Sequence, residues 1–348
     1  MLVVDRAASL HDVAAGVPEA CAYAWPRRTR RFSATLFKLL YRWTHSRAYR
    51  HNERLWRAVS IKRDFDGCIT DMRIGRYRLT IENASVLPAS RTGACHLIAA
   101  GPSINDINYS ALDLEHVMGV NGAVALQDRY DVRFDYYCIV DAGFARNRPD
   151  LVARIVQQSL ILFATPLVMW YIAQYFPLDQ MRCRIFVIED VQYPAGQRAL
   201  SGRDLHTAHT CADDLVLFDE ERVLGFSLDM RQGVFDGRTV AYVGLQVLNS
   251  LGFDTVFLHG VDLRDASRTP RFYETSTDRQ PSTLDRHFDA FIEPSFRQAA
   301  ALLRRRGVRV VNLSVNSALD VDIFEKRSWR SLTGVRADIA HPMRHSAA

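Results

Sequence analysis

The stretch CHLIAAGPS at residues 95–103 is the clearest indication of the fold class. Its apolar run ends in a glycine, a proline and a serine, which is the pattern of a buried strand that turns directly into a helix. A second such run, TVFLHGVDLR at residues 255–264, also carries glycine and polar residues where its strand should end. Short apolar runs of this kind alternate with helical patterns from residue 93 onward. This alternation predicts an α/β fold with a doubly wound, mostly parallel, Rossmann-like sheet.

The same patterns give the expected elements. We predict strands at 95–100, 116–120, 134–140, 160–164, 184–188, 255–259 and 308–313, and helices at 149–158, 166–175, 238–251 and 294–306. The apolar stretch at 159–176 approaches the length of a membrane span, but Pro166 divides it, and a strand followed by a buried helix explains it better. We expect residues 1–90 to form a basic, amphipathic helical N-terminal region, residues 91–330 the core domain and residues 331–348 a loose tail.

Composition excludes several classes of protein. The 348 residues are 48% hydrophobic and 24% charged, unlike a disordered chain, a collagen or a disulfide scaffold. The six cysteines are scattered without a C-x-x-C pair, which indicates free thiols in a reducing compartment. The first 25 residues lack the pattern of a secretory signal peptide. We therefore expect a cytoplasmic location.

Positive charge is concentrated near the amino terminus. Residues 26–63 hold twelve Lys or Arg and one acid, Glu53, so this segment carries +11 while the whole chain carries +5. Aromatic and leucine residues are interleaved at helical spacing, which favours contact with an anionic membrane surface. A solvated helix packed on the domain and a nucleic-acid contact are the alternatives. The remaining charge of −6 and the absence of a recognition motif argue against nucleic acid.

Candidate binding residues follow the predicted strands, because ligands of such sheets lie beyond the carboxyl ends of the strands. The residues at these positions are Gly101, Pro102, Ser103, Asn121, Asp141, Asp262, Arg264, Asn316 and Ser317. Each also has a purely structural interpretation, for example a turn at Asn121 or an ion pair between Asp262 and Arg264. Alternatively, Asp262 could accept backbone hydrogen bonds, and Arg264 could hold a phosphate.

Other motifs narrow the chemistry. The chain has neither G-x-G-x-x-G nor a Walker A loop, and neither G-x-S-x-G nor H-E-x-x-H. No spacing of His and Cys fits a metal site, so we expect no metal and no cofactor. His287 lies between Asp285 and Asp289 and is either a general base or part of a solvated helix start. The polar loop after Arg264, which includes Tyr273, has the length of a lid or binding loop.

Taken in order, these motifs resemble those of the bacterial sialyltransferases that use CMP-sugars. The shared positions are Gly101-Pro102-Ser103, Asn121, Gly237-Arg238-Thr239, Gly260-Val261-Asp262-Leu263 and Asn316-Ser317-Ala318-Leu319. More closely, residues 225–274, 280–282 and 313–314 resemble the lipopolysaccharide core biosynthesis proteins that add a third residue of 3-deoxy-manno-octulosonic acid (Kdo) to the inner core. The similar span covers about two thirds of the chain.

The resemblance implies a role for each matching residue. Gly101, Pro102, Ser103 and Asn121 would cradle the ribose and cytosine of CMP, Thr239 would face the donor, and Asn316 and Ser317 would contact the nucleotide. Arg264 and Tyr273 would stabilise the leaving phosphate. His287 lies within a few residues of the catalytic histidine of the sialyltransferases, which makes it the candidate base.

The expected function is therefore transfer of a 2-keto sugar acid, Kdo, from its CMP donor onto an anionic lipid-linked acceptor, Kdo-lipid A or core. The enzyme would be a GT-A-like, inverting and metal-independent glycosyltransferase, peripheral on the inner face of the cytoplasmic membrane. Three alternatives stay open: a sialyltransferase, an enzyme like the archaeal-type hydroxymethylpterin pyrophosphokinases, and a non-catalytic membrane-surface protein that assists core assembly.

Overall fold

The computed structural model describes residues 38–83, 93–209, 214–275 and 277–333. The predicted tail beyond residue 333, the basic residues before residue 38, Cys21 and Cys211 lie outside these ranges. The strands are β1 (Val59–Arg63), β2 (Ile69–Ile74), β3 (Tyr77–Leu79), β4 (Ala94–Ile98), β5 (Val117–Val120), β6 (Tyr136–Ile139), β7 (Ile161–Ala164), β8 (Arg184–Val187), β9 (Leu215–Asp219), β10 (Leu224–Ser227), β11 (Thr255–His259), β12 (Arg309–Asn312) and β13 (Glu325–Lys326). The α-helices are α1 (Ala142–Asn147), α2 (Pro149–Val156), α3 (Pro166–Tyr175), α4 (Gly202–His209), α5 (Val240–Ser250), α6 (Leu284–His287) and α7 (Glu293–Arg305).

The centre of the molecule is an eight-stranded sheet. Its strand order is β13-β12-β11-β4-β5-β6-β7-β8, and every neighbouring pair is parallel. Strands β4 to β8 follow one another towards one edge, while β11 to β13 extend from β4 towards the other. The chain therefore reverses direction across the sheet at β4 and β11, which is where a doubly wound sheet opens its ligand crevice. The predicted fold class is confirmed.

The inner strands and the helices on both faces form the hydrophobic core. Strands β5, β6 and β7 are buried at every position, as parallel strands covered on both faces must be. Helix α5 crosses β4, β5 and β6, and its apolar stripe is almost completely buried. Gly244 permits this close approach, because a Cβ atom there would lie 2.8 Å from the Leu97 side chain.

The divided apolar stretch folds as predicted. It forms strand β7 and helix α3, which begins at Pro166. The Thr165 hydroxyl accepts a hydrogen bond from the Val168 amide at 3.3 Å and caps the helix. Among the described residues, no helix combines the length and apolarity needed to cross a membrane.

The amino-terminal region contains a small sheet that its charge pattern did not predict. Residues 38–44 are helical, but β1, β2 and β3 then form an antiparallel meander. This meander packs on the core: Arg63 donates two hydrogen bonds to the buried Glu189 carboxylate, at 2.6 and 2.9 Å. Arg54 donates to the Tyr171 hydroxyl at 2.6 Å. A second hairpin, β9 and β10, was also absent from the predicted elements.

Candidate functional site

A cleft of about 500 Å³ lies at the carboxyl ends of β4, β5, β6 and β11. The starts of helices α1 and α5, the loop after β11 and helix α6 complete its walls. Most of the residues predicted from the sequence line it. These are Gly101, Pro102, Asn121, Asp141, Thr239, Asp262, Arg264 and His287. The fold therefore places residues predicted from strand ends, such as Gly101 and Asp262, beside Thr239 and His287, which were predicted from the resemblance.

The turn after β4 is tied to the turn after β11 through Asp262. One Asp262 carboxylate oxygen accepts hydrogen bonds from the Ser103 amide at 3.1 Å and from the Ser103 hydroxyl at 3.0 Å. Gly101 is required here, because a Cβ atom would lie 2.0 Å from that oxygen and 2.5 Å from the Gly260 carbonyl oxygen. Burial raises the pKa of Asp262, although the hydrogen bonds from Ser103 oppose that shift. The alternative of an ion pair between Asp262 and Arg264 is thus not what the structure contains.

The Asn121 side chain provides a hydrogen-bond acceptor that has no partner among the residues the structure describes. The residue has a φ of 46°, and the Tyr137 hydroxyl donates to its backbone carbonyl at 2.7 Å. Its side-chain oxygen is buried and accepts no hydrogen bond from the described residues. An unsatisfied buried acceptor costs about 1–3 kcal/mol. A ligand that donates a hydrogen bond from an amino group or hydroxyl would recover this energy.

Tyr273 is not among the residues that line the cleft. Its ring packs against the turn after β5, where a Cβ atom on Gly122 would be 1.9 Å from the ring. The guanidinium carbon of Arg148 lies 5.2 Å from the centre of the same ring. Burial raises the pKa of the Tyr273 phenol to about 12, so the hydroxyl is protonated and can donate a hydrogen bond at neutral pH. The ring supports the wall that carries Asn121.

Arg264 is exposed and available to an anion. Its Nε donates to the Asn316 carbonyl at 3.1 Å, and no carboxylate of the described residues forms a salt bridge with it. Arg271 also lines the cleft, but it is paired at 2.6 Å with Glu274, whose side chain is 1% exposed. Arg264 is therefore the better candidate for holding a phosphate.

Asn316 and Ser317 hold the strand end together and are not among the residues that line the cleft. Asn316 contributes its carbonyl oxygen to Arg264. The buried Ser317 hydroxyl donates to the Val261 carbonyl at 2.7 Å and accepts from the Leu319 amide at 3.2 Å. Both residues therefore form hydrogen bonds with the loop that carries Asp262 and Arg264.

Asp141 and Thr239 stand at the starts of two helices that face the cleft. The Asp141 carboxylate caps α1 by accepting from the Gly143 amide at 2.7 Å. The Thr239 side chain forms no capping hydrogen bond with α5, so capping does not occupy its hydroxyl.

His287 ends helix α6 and faces the cleft. Its ring lies against Phe291, with the ring centres 5.8 Å apart. The neighbouring Asp285 does not orient this ring, because its carboxylate accepts hydrogen bonds from the amides of Ala266 and Ser267 at 2.8 and 2.7 Å. These bonds lower the pKa of Asp285 and fasten the loop after β11.

Three charged residues of the cleft, Asp236, Arg238 and Arg271, were missing from the predicted site. Asp236 and Arg238 flank Gly237 in the turn before α5, and both line the cleft. Burial raises the pKa of Asp236, while Arg238 and His287 act in the opposite direction. The sequence did contain a signal for Arg238, because it belongs to the shared motif Gly237-Arg238-Thr239. In that motif, however, we assigned a role only to Thr239. No group of three or more His, Cys, Asp or Glu in the described residues has the geometry of a metal site.

Comparison with known proteins supports the predicted resemblance. The family model described as "3-deoxy-D-manno-octulosonic acid transferase WaaZ" matches residues 207–326. A curated relative from Salmonella typhimurium (strain LT2), a probable 3-deoxy-manno-octulosonic acid transferase, is 26% identical over 261 residues. That alignment covers 70% of this chain and 91% of the relative. The chain is thus similar to Kdo transferases, and the resemblance identified from the motifs is confirmed.

Among solved structures, the sialyltransferase CST-II in complex with a trisaccharide acceptor and CMP matches 67% of this chain and 85% of its own. The identity is 12% and the TM-score 0.35.

Proposed function

We propose that this protein is a glycosyltransferase that moves Kdo from CMP-Kdo onto the inner core of lipopolysaccharide. The observation that carries the proposal is the similarity to Kdo transferases over residues 207–326, since this segment supplies Asp236, Thr239, Asp262, Arg264 and His287 to one cleft. The cleft offers a cation, an unsatisfied hydrogen-bond acceptor and an imidazole, which are the groups that an anionic nucleotide sugar and an attacking hydroxyl require.

The proposed reaction needs little from the protein beyond charge and a base. An acceptor hydroxyl attacks the anomeric carbon of Kdo, the bond from that carbon to the phosphate oxygen breaks, and CMP leaves with the bonding electrons. Arg264 stabilises the charge that develops on the phosphate, while Tyr273 supports the wall that carries Asn121. His287 takes the proton of the acceptor hydroxyl. Attack from the face opposite CMP inverts the configuration, and no step uses a metal.

The test is thermal stabilisation by CMP, with CDP, UDP, GDP and ATP as controls, each with and without EDTA. Ligand at ~100 times its dissociation constant should stabilise the fold by about 2.7 kcal/mol. We expect a CMP-selective shift that survives EDTA and is weakened in Arg264→Ala. Arg268→Ala, which removes an exposed arginine of the same loop outside the cleft, is the matched control. A shift with ATP and Mg²⁺ alone would favour a pyrophosphokinase, and no shift with any nucleotide would favour a non-catalytic protein.

We further propose that residues 26–63 hold the enzyme against the cytoplasmic face of the membrane, where a lipid-linked acceptor would lie. Within the described residues, Leu39, Leu40 and Trp43 form one exposed apolar face of the helix at 38–44, and Trp43 is 89% exposed. Several nearby cations form no salt bridge with a described residue, which leaves them available to anionic lipid. These cations are Arg47, Arg50, Arg57 and Lys62.

Vesicle co-sedimentation tests the membrane contact. We expect binding to vesicles that contain phosphatidylglycerol, weak binding to phosphatidylcholine alone, and loss of binding in Trp43→Ala. Phe65→Ala is the control, because Phe65 is a fully exposed aromatic at the β1–β2 turn between two aspartates. Equal binding to both kinds of vesicle, or an equal loss in both variants, would contradict the proposal.

A further inference from the structure

The turn before α5 holds an arginine in a backbone conformation that does not suit it. Gly237 has a φ of 52° and Arg238 a φ of 58°, two consecutive residues in the left-handed region. Gly237 is fixed by packing, because a Cβ atom there would lie 2.2 Å from the ring of Tyr242. Glycine at position 238 would adopt the same conformation without steric cost. The backbone conformation therefore does not explain why position 238 is an arginine, so the reason must lie in its side chain.

Arg238 is one of the residues that line the cleft, and its charge interacts with the carboxyl groups of Asp236 and Asp190. Its guanidinium carbon lies 5.0 Å from the centre of the Phe291 ring, which supports one face of the planar group. Its only salt bridge within the described residues is to Asp236, at 3.4 Å, and the two side chains are 43% and 44% exposed. In contrast, Arg271 is held at 2.6 Å by Glu274, whose side chain is 1% exposed. Arg238 is thus positioned but loosely paired, and a ligand carboxylate could replace Asp236.

We propose that Arg238 binds the carboxylate of a sugar acid and makes the site selective for sugar acids over neutral sugars. This inference rests on the proposed function and deepens it. A 2-keto sugar acid carries its carboxylate on the anomeric carbon, next to the phosphate that Arg264 would hold, so the donor presents two anions to the two loosely held arginines. The guanidinium fork matches a carboxylate with two parallel hydrogen bonds. An acceptor that ends in Kdo carries the same group.

Calorimetric titration of CMP and CMP-Kdo into the wild type, Arg238→Gln and Arg238→Gly tests the proposal. We expect both variants to bind CMP within twofold of the wild type and to bind CMP-Kdo at least tenfold more weakly. Arg238→Gly should have a Tm equal to or above that of the wild type, because glycine suits a φ of 58°. A purely structural role predicts the opposite pattern, a lower Tm with unchanged selectivity.

A second measurement identifies which carboxylate is bound. The KM for a Kdo-terminated acceptor, measured at saturating donor, should rise at least tenfold in both variants if Arg238 holds the acceptor. Weaker binding of CMP-Kdo alone would show that Arg238 binds the carboxylate of the donor. A higher KM for the acceptor alone would show that it binds the carboxylate of the acceptor, and either result supports the proposal. Equal weakening of CMP and CMP-Kdo, or no change in either arm, overturns it. A wild-type protein that binds neither CMP nor CMP-Kdo would refute the proposed function as well.

Discussion

Acidification should destabilise this protein through a pair of histidines buried in the central sheet. His96 in β4 and His259 in β11 share a hydrogen bond of 2.9 Å between Nδ1 and Nε2, and His259 also contacts the Tyr109 hydroxyl at 3.2 Å. Both rings are buried. Burial lowers the pKa of His96 to about 4 and that of His259 well below its usual value, so the folded protein holds both rings neutral at pH 7.

The magnitude follows from the difference between the folded and unfolded pKa values. An unfolded histidine titrates near 6.5, so between pH 6.5 and 4 the unfolded chain binds a proton that folded His96 does not. The stabilisation is complete above pH 6.5 and is lost as the pH falls towards 4. A difference of about 2.5 pKa units corresponds to roughly 3 kcal/mol. His259 acts in the same direction.

Urea unfolding between pH 7.5 and 4.5 measures this effect. The free energy of unfolding should fall by about 1.4 kcal/mol per pH unit for each proton taken up. His96→Gln should be less stable at pH 7.5 and should show a smaller dependence on pH. His206→Gln, which changes an exposed histidine, should keep the wild-type dependence. If His96→Gln loses stability on acidification as steeply as the wild type, the buried pair is not the cause.

Substitutions at three further positions test contacts within the fold. Gly101→Ala would place a methyl group against Asp262, so we expect a loss of about 1–3 kcal/mol in unfolding free energy and weaker CMP binding; an unchanged Tm would contradict the close approach. Arg63→Ala leaves the buried Glu189 carboxylate without its cation and should cost about 3 kcal/mol in urea unfolding, with Arg63→Lys losing less. A cost near zero would show that the amino-terminal sheet does not dock on the core. Thr165→Ala removes a helix cap and should cost about 1 kcal/mol by the same assay; no measurable change would argue against the cap.

Much of the core fold could be predicted because its signals are local. The strand at 255–259 and the helix at 166–175 have the predicted bounds, since an apolar run and a proline at the first helical turn act within a few residues. The turn at Gly101 and the hydrogen-bonding role of Asp262 also followed from residue type and position after a strand. The meander β1–β3 did not follow, because its basic and aromatic residues fit helical spacing as well as strand pairing.

The parallel sheet and the polar residue types at the carboxyl ends of its strands could be predicted from the sequence alone. Which of those side chains face the cleft depends on the tertiary structure. The Ser103 hydroxyl is taken up by Asp262, 159 residues away, and Tyr273 packs on Gly122, while Arg238 is left loosely paired in the cleft. Secondary structure follows from periodicity and capping within one segment. The partner of a polar side chain depends on which distant segments the fold brings within hydrogen-bonding distance, and no local pattern carries that information.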